Sequence, residues 1–406
     1  MLDVVRILLT FILILTLLRK KIPVGYVMLI AAGTLMLLYR MDIAAIADTG
    51  KKTISGNVTI TLWLSLSLIR IFEMILREQN VLATMMSSVN TFVKNKKAII
   101  ISMPLLIGML PSLGGAYFSA PMVKEATAGL HMSREEKAYI NYWFRHPWEY
   151  ILPLYPGIVL ASALSGIPLY DFVAANITYA LALLCMGFVY SMRDISNRSL
   201  SSSPEEHAPV TSRVTRRNAL LSFVPVGSVL LLVVVLRIDL HYALLAIIVP
   251  LFIVFRYRPS GIFRIVRHGF AGDIVVLIVG IMLFKETMEA SGSVRNLSNV
   301  FVENGIPVMP IVCLLPFVIG LLTGLTAGFV GSTFPLIMSI AGGASLPVMS
   351  MAFAAGFIGV LISPVHLCLV LTREYFKADM WGVYKKIIPS GVYIFLAAFI
   401  QYMLLR

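Results

Sequence analysis

Apolar positions in this chain come in long, nearly unbroken runs, not at alternating or helical-face spacing. A helix needs about 20 such residues to cross a bilayer. The runs predict transmembrane helices over 2–18, 23–39, 57–76, 138–165, 171–191, 217–236, 241–255, 272–288, 346–372 and 387–405. The long polar stretch 193–216 is rich in Ser and charge and predicts a flexible linker dividing the chain almost in half. Arg19-Lys20-Lys21 follow the first run, no small-residue cleavage site intervenes, and another apolar run begins at once. That pattern predicts an uncleaved first span and not a signal peptide.

The halves resemble each other. PLLIGMLPSLGGAYFSAP (104–121) lines up with PFVIGLLTGLTAGFVGSTFP (316–335), and Pro156 and Asp171 correspond to Pro364 and Asp379. Around them the order of elements is the same, which predicts an internal duplication. Segments 97–123 and 309–341 read either as kinked full spans or as re-entrant hairpins turning at Ser112–Ala116 and Thr326–Gly331. Charge separates the two: hairpins put most Lys and Arg on one side, whereas full crossings divide them nearly evenly. Hairpins are therefore expected, with five crossings per half and the second half upside down relative to the first.

The predicted fold class is an all-α polytopic membrane protein of two inverted-topology repeats. Each has five transmembrane helices plus one re-entrant helical hairpin, with a broken helix after each hairpin. The first repeat is 1–192 (hairpin about 97–128), the linker 193–216 is cytoplasmic, and the second repeat is 217–406 (hairpin about 309–341). Both termini are expected outside.

Composition agrees. The 406 residues are 59% hydrophobic and 13% charged, with a mean hydropathy of +0.89, against roughly 25% charged in a soluble domain. A globular cytoplasmic enzyme, a disordered chain and a nucleic-acid-binding domain are excluded. The net charge of +13 lies in short clusters between apolar runs, as membrane orientation requires. Cys185, Cys313 and Cys368 sit inside apolar runs, with no CxxC pair and no His at ligand spacing, so no metal site or cofactor is expected. No HExxH, GxSxG or Walker motif is present, and no enzyme is expected.

Candidate chemistry falls on the interrupted segments. Non-helical backbone survives in a bilayer only when buried in protein or lining a polar cavity. The hairpin tips combine it with small residues: Ser112, Gly114, Gly115 and Ser119 in one, Thr326, Gly328, Ser332 and Thr333 in the other. These are candidate substrate contacts, or else residues that merely allow tight helix packing. Pro153 and Pro156 break the span 138–165, as Pro364 breaks 346–372. Asn141, Arg145 and Glu149 are spaced by four and share a face wherever the chain is helical. Arg145 either pairs with Glu149 or attracts an anionic substrate while Glu149 or His146 exchanges a proton. Arg70 with Glu73, and Lys285 with Glu286, pose the same question nearer the helix ends; Glu73 is a further coupling candidate. His366, after Pro364, is a weaker one.

In layout nearly the whole chain resembles the ion-transporter superfamily of prokaryotic secondary carriers. That group includes divalent-anion/sodium symporters, gluconate-type permeases and the large membrane subunit of TRAP transporters. RHPWEYILPLYPG (145–157) is similar to an integral-membrane permease branch of that superfamily. The symporter branch uses Ser-Asn-Thr at its tips for sodium and a substrate carboxylate. The matching tips here read Ser112-Leu113-Gly114-Gly115 and Gly331-Ser332-Thr333, without Asn. The resemblance implies hairpin and broken-span units moving against a scaffold, a homodimer, and a prokaryotic inner membrane. The expected function is secondary transport of a small organic or inorganic anion coupled to H⁺ or Na⁺. A lipid-phosphate translocase using Arg70 and Arg145 is the alternative, and an ion channel a third.

Overall fold

The computed structural model describes residues 2–81, 84–85, 95–111, 115–192, 220–293, 296 and 307–406. The expected linker 193–216 and the tip residues Ser112 and Gly114 lie outside the described residues. Within them the chain is helical, without β-strands. In order the helices are α1 (Leu2–Arg19), α2 (Val24–Leu38), α3 (Ile43–Ser55), α4 (Asn57–Glu78), α5 (Lys96–Gly108), α6 (Gly115–Ala126), α7 (Arg134–Trp143), α8 (Trp148–Ile151), α9 (Pro156–Ser165) and α10 (Leu169–Met192). They continue with α11 (Val224–Leu230, running on as a wider π turn over Leu231–Val235), α12 (Leu240–Val254), α13 (Pro259–Gly269), α14 (Gly272–Ala290), α15 (Met309–Thr323), α16 (Thr326–Ile340), α17 (Leu346–Ile362), α18 (Leu367–Phe376) and α19 (Met380–Leu405).

Five helical stretches among the described residues are long and apolar enough to cross a membrane. They are Asn57–Glu78, Leu169–Ser191, Pro259–Ala290, Leu346–Phe376 and Met380–Leu405. These fit a multi-pass membrane protein, and so does the distribution of polarity. Leu8, Leu9, Ile12, Val249, Ile253 and Ile400 are exposed, while Asn141, Arg145, His146 and Asn176 are buried. That is the arrangement expected when the solvent is lipid.

Several expected spans are subdivided. The run 138–165 forms α7, α8 and α9, and 346–372 forms α17 and α18. Proline removes a helical donor and clashes with the preceding turn, and Pro147, Pro153, Pro156 and Pro364 sit at these breaks. Two amphipathic helices, α3 and α13, stand in the connections before α4 and α14 and were not expected from apolar runs. Lys51 and Lys52 on α3, and Arg264 and Arg267 on α13, dilute the apolar signal there, yet Ile43, Ile54 and Phe263 remain exposed. An apolar face and a basic face on one helix suit a membrane interface. Asp42 caps α3, its carboxylate accepting from Ala45 N at 2.7 Å. Ser133 and Glu136 form a reciprocal capping box on α7.

The halves interlock through helix pairs with glycine at the crossing. On α2, a methyl group at Gly25 would meet the Val276 carbonyl carbon of α14 at 2.6 Å. Within the second half, Gly320 of α15 and Gly359 of α17 likewise face each other's helix backbones, the close approach that small residues permit. Polar contacts gather at two opposite ends of the bundle. At one, Arg70 donates to Asp273 at 2.9 Å, Arg264 to Glu78 at 2.9 Å, and Lys386 to Glu136 at 3.4 Å. There too, the Asp379 backbone N–H donates to Glu135 at 3.1 Å and holds that carboxyl below its ordinary range. At the other, Asn296 donates to Asp3 at 3.1 Å, Arg237 stacks over Tyr170 at 4.6 Å, and Lys285 pairs with Glu289 at 3.0 Å.

Candidate functional site

The site is built from two interrupted spans. In the first half α7 stops at Trp143, because Pro147 cannot continue the ladder and disfavours helical geometry at the residue before it. Residues 144–147 turn, with Arg145 N reaching back to Tyr142 O and His146 N to Trp143 O. One short turn, α8, follows, and Pro156 starts α9 at its first position, where a missing N–H costs nothing. In the second half α17 ends at Ser363 before Pro364, and α18 begins after His366.

Each break is held by the end of a neighbouring helix. Gly108, the last residue of α5, lies against the Arg145 carbonyl, which leaves no room for a side chain. Tyr155 Oη donates to the Gly108 carbonyl, and Trp148 Nε1 donates to Leu105 O at 2.7 Å. In the second half Gly324, which ends α15 in the left-handed region at φ +62°, abuts the backbone of His366; a methyl group there would sit 2.9 Å from its Cα. Only glycine meets both demands at little cost.

The next two contacts cross between halves. Thr326, first residue of α16, donates from Oγ1 to Glu149 Oε2 at 2.9 Å, and its methyl presses on Gly157. Asn141 of α7 donates from Nδ2 to Thr372 Oγ1 of α18 at 2.9 Å and to Ala116 O of α6 at 3.1 Å. So α16 leans on the first half's broken span, and α6 leans on the second's, where Tyr117 of α6 meets Tyr375 of α18 edge-to-face at 5.8 Å.

The expected face of Asn141, Arg145 and Glu149 does not form, since the helix ends between the first two. Glu149 turns to Thr326, and His146 Nε2 lies 3.7 Å from Glu149 Oε1. Arg145 is 4% exposed, and its Nε and Nη1 have no hydrogen-bond partner among the described residues. A charged side chain in a bilayer interior costs at least about 2.5–3.5 kcal/mol. Here it is held inside protein with two of its nitrogens unpaired. A guanidinium presents its N–H donors in a planar fork whose geometry matches carboxylate and phosphate oxygens.

The other expected residues divide. Gly115 and Ser119 are buried on α6, and the Ser119 hydroxyl turns to Gly115 O at 3.3 Å. Ser332 Oγ donates to Gly328 O and Thr333 Oγ1 to Phe329 O, both at 2.7 Å. These hydroxyls are occupied within their own helices. Glu73 pairs with Arg77, and Arg70 is taken by Asp273. Pro153, Pro156 and Pro364 are where the spans break.

Sequence reasoning missed one grouping. His146, His366 and Cys368 bring ligand-capable atoms within 4.8 Å of one another. His366 stands two residues before Cys368, a local signal for two of the three; His146 lies more than 200 positions away and leaves none. Tyr142 also joins the breaks, its Oη donating to Leu361 O at 2.8 Å and lying 3.1 Å from His366 Nδ1.

A cavity of about 580 Å³ lies elsewhere, at the end that carries Lys285 and Glu289, lined also by Ser165, Pro335 and Ser339. Pro335 is about 14 Å up α16 from Thr326 at 1.5 Å per residue. The convergent buried polar groups are at the breaks and not in this cavity. No curated protein matches this chain. Residues 1–405 match the family described as "Protein of unknown function (DUF401)", and the chain belongs to that family.

Proposed function

We propose that this protein is a secondary active transporter that carries a small organic or inorganic anion across the membrane, coupled to H⁺ or Na⁺. The observation that carries this reading is Arg145, a buried guanidinium with unpaired nitrogens at the meeting point of two broken spans. Charge of this kind inside a membrane protein marks a substrate or ion path. Glu149 and His146 stand near it, and Thr326 is bonded to Glu149, as groups able to exchange a proton or ligate the anion's counter-ion.

The proposed architecture is that of two inverted repeats. Helices α5 and α6 form a hairpin open at the end of the bundle that holds Glu135 and Asp379. Helices α15 and α16 form one open at the end that holds Lys285. The crossed contacts of α16 with α9, Thr326 against Gly157, and of α6 with α18, Tyr117 against Tyr375, favour opposed hairpins, each resting on the other half's broken span. With the Arg- and Lys-rich end cytoplasmic, both termini lie outside and the linker inside. Rocking of each hairpin and broken-span unit then opens Arg145 alternately to the two faces. A homodimer in a prokaryotic inner membrane completes the proposal.

The lipid-phosphate alternative needs Arg70 and Arg145 to act together. Arg70 already pairs with Asp273 at 2.9 Å, so no observation favours that reading. The test is a thermal-stability screen of the purified protein against anions and phospholipids, with and without Na⁺. An anion at 100 times its dissociation constant adds about 2.7 kcal/mol. Stabilisation by one soluble anion, lost in Arg145→Ala, and matched by uptake into proteoliposomes, supports the carrier. Stabilisation by phosphorylated lipid alone overturns it.

A further inference from the structure

We propose that His146, His366 and Cys368 form a binding site for one transition-metal ion of zinc type, with Glu149 as the fourth ligand. The ion would bridge the two broken spans, one ligand pair coming from each half.

Four observations converge on this. The three ligand-capable atoms already lie within 4.8 Å of one another; in a tetrahedral site with Zn–N near 2.0–2.1 Å and Zn–S near 2.3 Å, ligand atoms sit roughly 3.3–3.8 Å apart. The remaining contraction is a side-chain adjustment. Second, both imidazoles are oriented by the same device. His146 Nδ1 faces Tyr142 O at 2.6 Å, and His366 Nδ1 faces Val360 O at 3.0 Å. A carbonyl only accepts, so each Nδ1 carries the proton and each Nε2 keeps its lone pair. This is how ligating histidines are usually fixed from behind. Tyr142 adds to it: its hydroxyl donates to Leu361 O and can accept from His366 Nδ1.

Third, the rings meet edge-to-face with centroids 5.0 Å apart. Two imidazoles sharing one ion through Nε2 at tetrahedral angles have centroids about 5 Å apart, given the Zn–N length above. Fourth, Glu149 Oε1 is 3.7 Å from His146 Nε2, beside the nitrogen that keeps its lone pair; it stands outside the group of three and would swing inward to become the fourth ligand. Two neutral imidazoles, a thiolate and a carboxylate are the donor set zinc prefers, and hard cations such as Mg²⁺ do not. Arg145, beside the Cys368 sulfur, is a like charge to the ion and competes for the thiolate, so it sets the affinity below that of the bare ligand set.

The experiment uses the full-length protein in detergent, freed of metal, titrated with Co²⁺ as a spectroscopic probe and then with Zn²⁺ in competition. The expected result is one Co²⁺ per chain with sulfur-to-cobalt charge-transfer absorption. Cys368→Ser abolishes that absorption, His146→Gln and His366→Gln each weaken binding at least about 100-fold, and Cys185→Ser and Cys313→Ser leave it intact. Arg145→Gln, which keeps all ligands, tightens binding at least about tenfold. Zn²⁺ also raises the thermal midpoint of the wild-type chain, but not that of Cys368→Ser. No charge-transfer absorption, or absorption that survives Cys368→Ser, overturns the proposal. So does an affinity unmoved by both histidine variants. If Cys368→Ser does not fold, the histidine and Arg145 variants decide the matter alone.

Discussion

The two broken spans use the same device and carry different cargo. Both stop a helix at a proline, both rest on a glycine at the end of the hairpin's first helix, and both resume within a few residues. The first break holds Arg145, His146 and Glu149 and interrupts the chain twice, around Pro147 and Pro153. The second holds Ser363 and His366 and interrupts it once. Formal charge is confined to one side, while the other supplies neutral hydroxyls, carbonyls and an imidazole. The difference teaches that charge at the buried centre is a property of the first break alone, and that the second meets it with neutral groups.

The sharpest way to break that comparison is to remove the charge that makes it. Arg145→Met keeps much of the volume and ends a buried, partly unpaired cation. Replacing buried charge with well-packed apolar volume is often stabilising by about 1–4 kcal/mol. The expected outcome is opposite in sign for two readouts: the thermal midpoint rises, and anion-dependent stabilisation and uptake fall at least about 100-fold. A midpoint that falls together with activity would mean Arg145 is a structural pair after all.

Thr326 and Thr333 stand seven residues apart on α16 and sharpen the comparison next. Thr326 crosses to Glu149 at 2.9 Å, whereas Thr333 bonds its own helix at Phe329 O. Thr326→Val removes a hydrogen bond to a carboxylate and is expected to cost about 1.5–3 kcal/mol. Thr333→Val removes only a local bond, so its cost stays below about 1 kcal/mol; thermal denaturation of both variants checks this. The same crossing can be attacked from the other side. Gly157→Ala drives a methyl into the Thr326 methyl and is expected to cost about 1–3 kcal/mol through overpacking. Thr326→Ser in the same chain removes the opposing methyl, so the double variant should recover most of the loss. Simple additivity of the two would show that these groups do not meet.

These contacts mark the limit of what the chain discloses before folding. Apolar runs gave the membrane class, and prolines gave the breaks, because both are local properties. Arg145 was legible for the same reason: a charge in an apolar run is conspicuous. That it makes no ion pair with Glu149 was not, since spacing by four implies a shared face only while the helix lasts, and Pro147 ends it first. The hydroxyls of Ser332 and Thr333 looked like ligands in sequence, yet in an α-helix they fall back on carbonyls one turn earlier. The meeting of His146 with His366 and Cys368, and of Thr326 with Glu149, depends on how α16 and α18 pack. No periodicity encodes that.

The smallest expected effect compares two carboxylates that join the halves. Glu149 does so inside the bundle, through a hydroxyl; Glu135 does so at an exposed end, where the Asp379 backbone N–H donates to it at 3.1 Å. That hydrogen bond favours the ionised form, so the folded carboxyl titrates below its ordinary value of 4.5. The folded state therefore binds fewer protons than the unfolded one between the two values. The contribution is fully present above the ordinary value and is lost as pH falls through the lower folded one. Because Glu135 is largely in contact with solvent, screening limits it to less than about 1 kcal/mol. Thermal midpoints of wild type and Glu135→Gln should differ slightly at neutral pH and converge as pH drops below that range. A gap that widens on acidification would place the pH-sensitive tie between the halves elsewhere, and the buried crossing at Glu149 would be the first place to look.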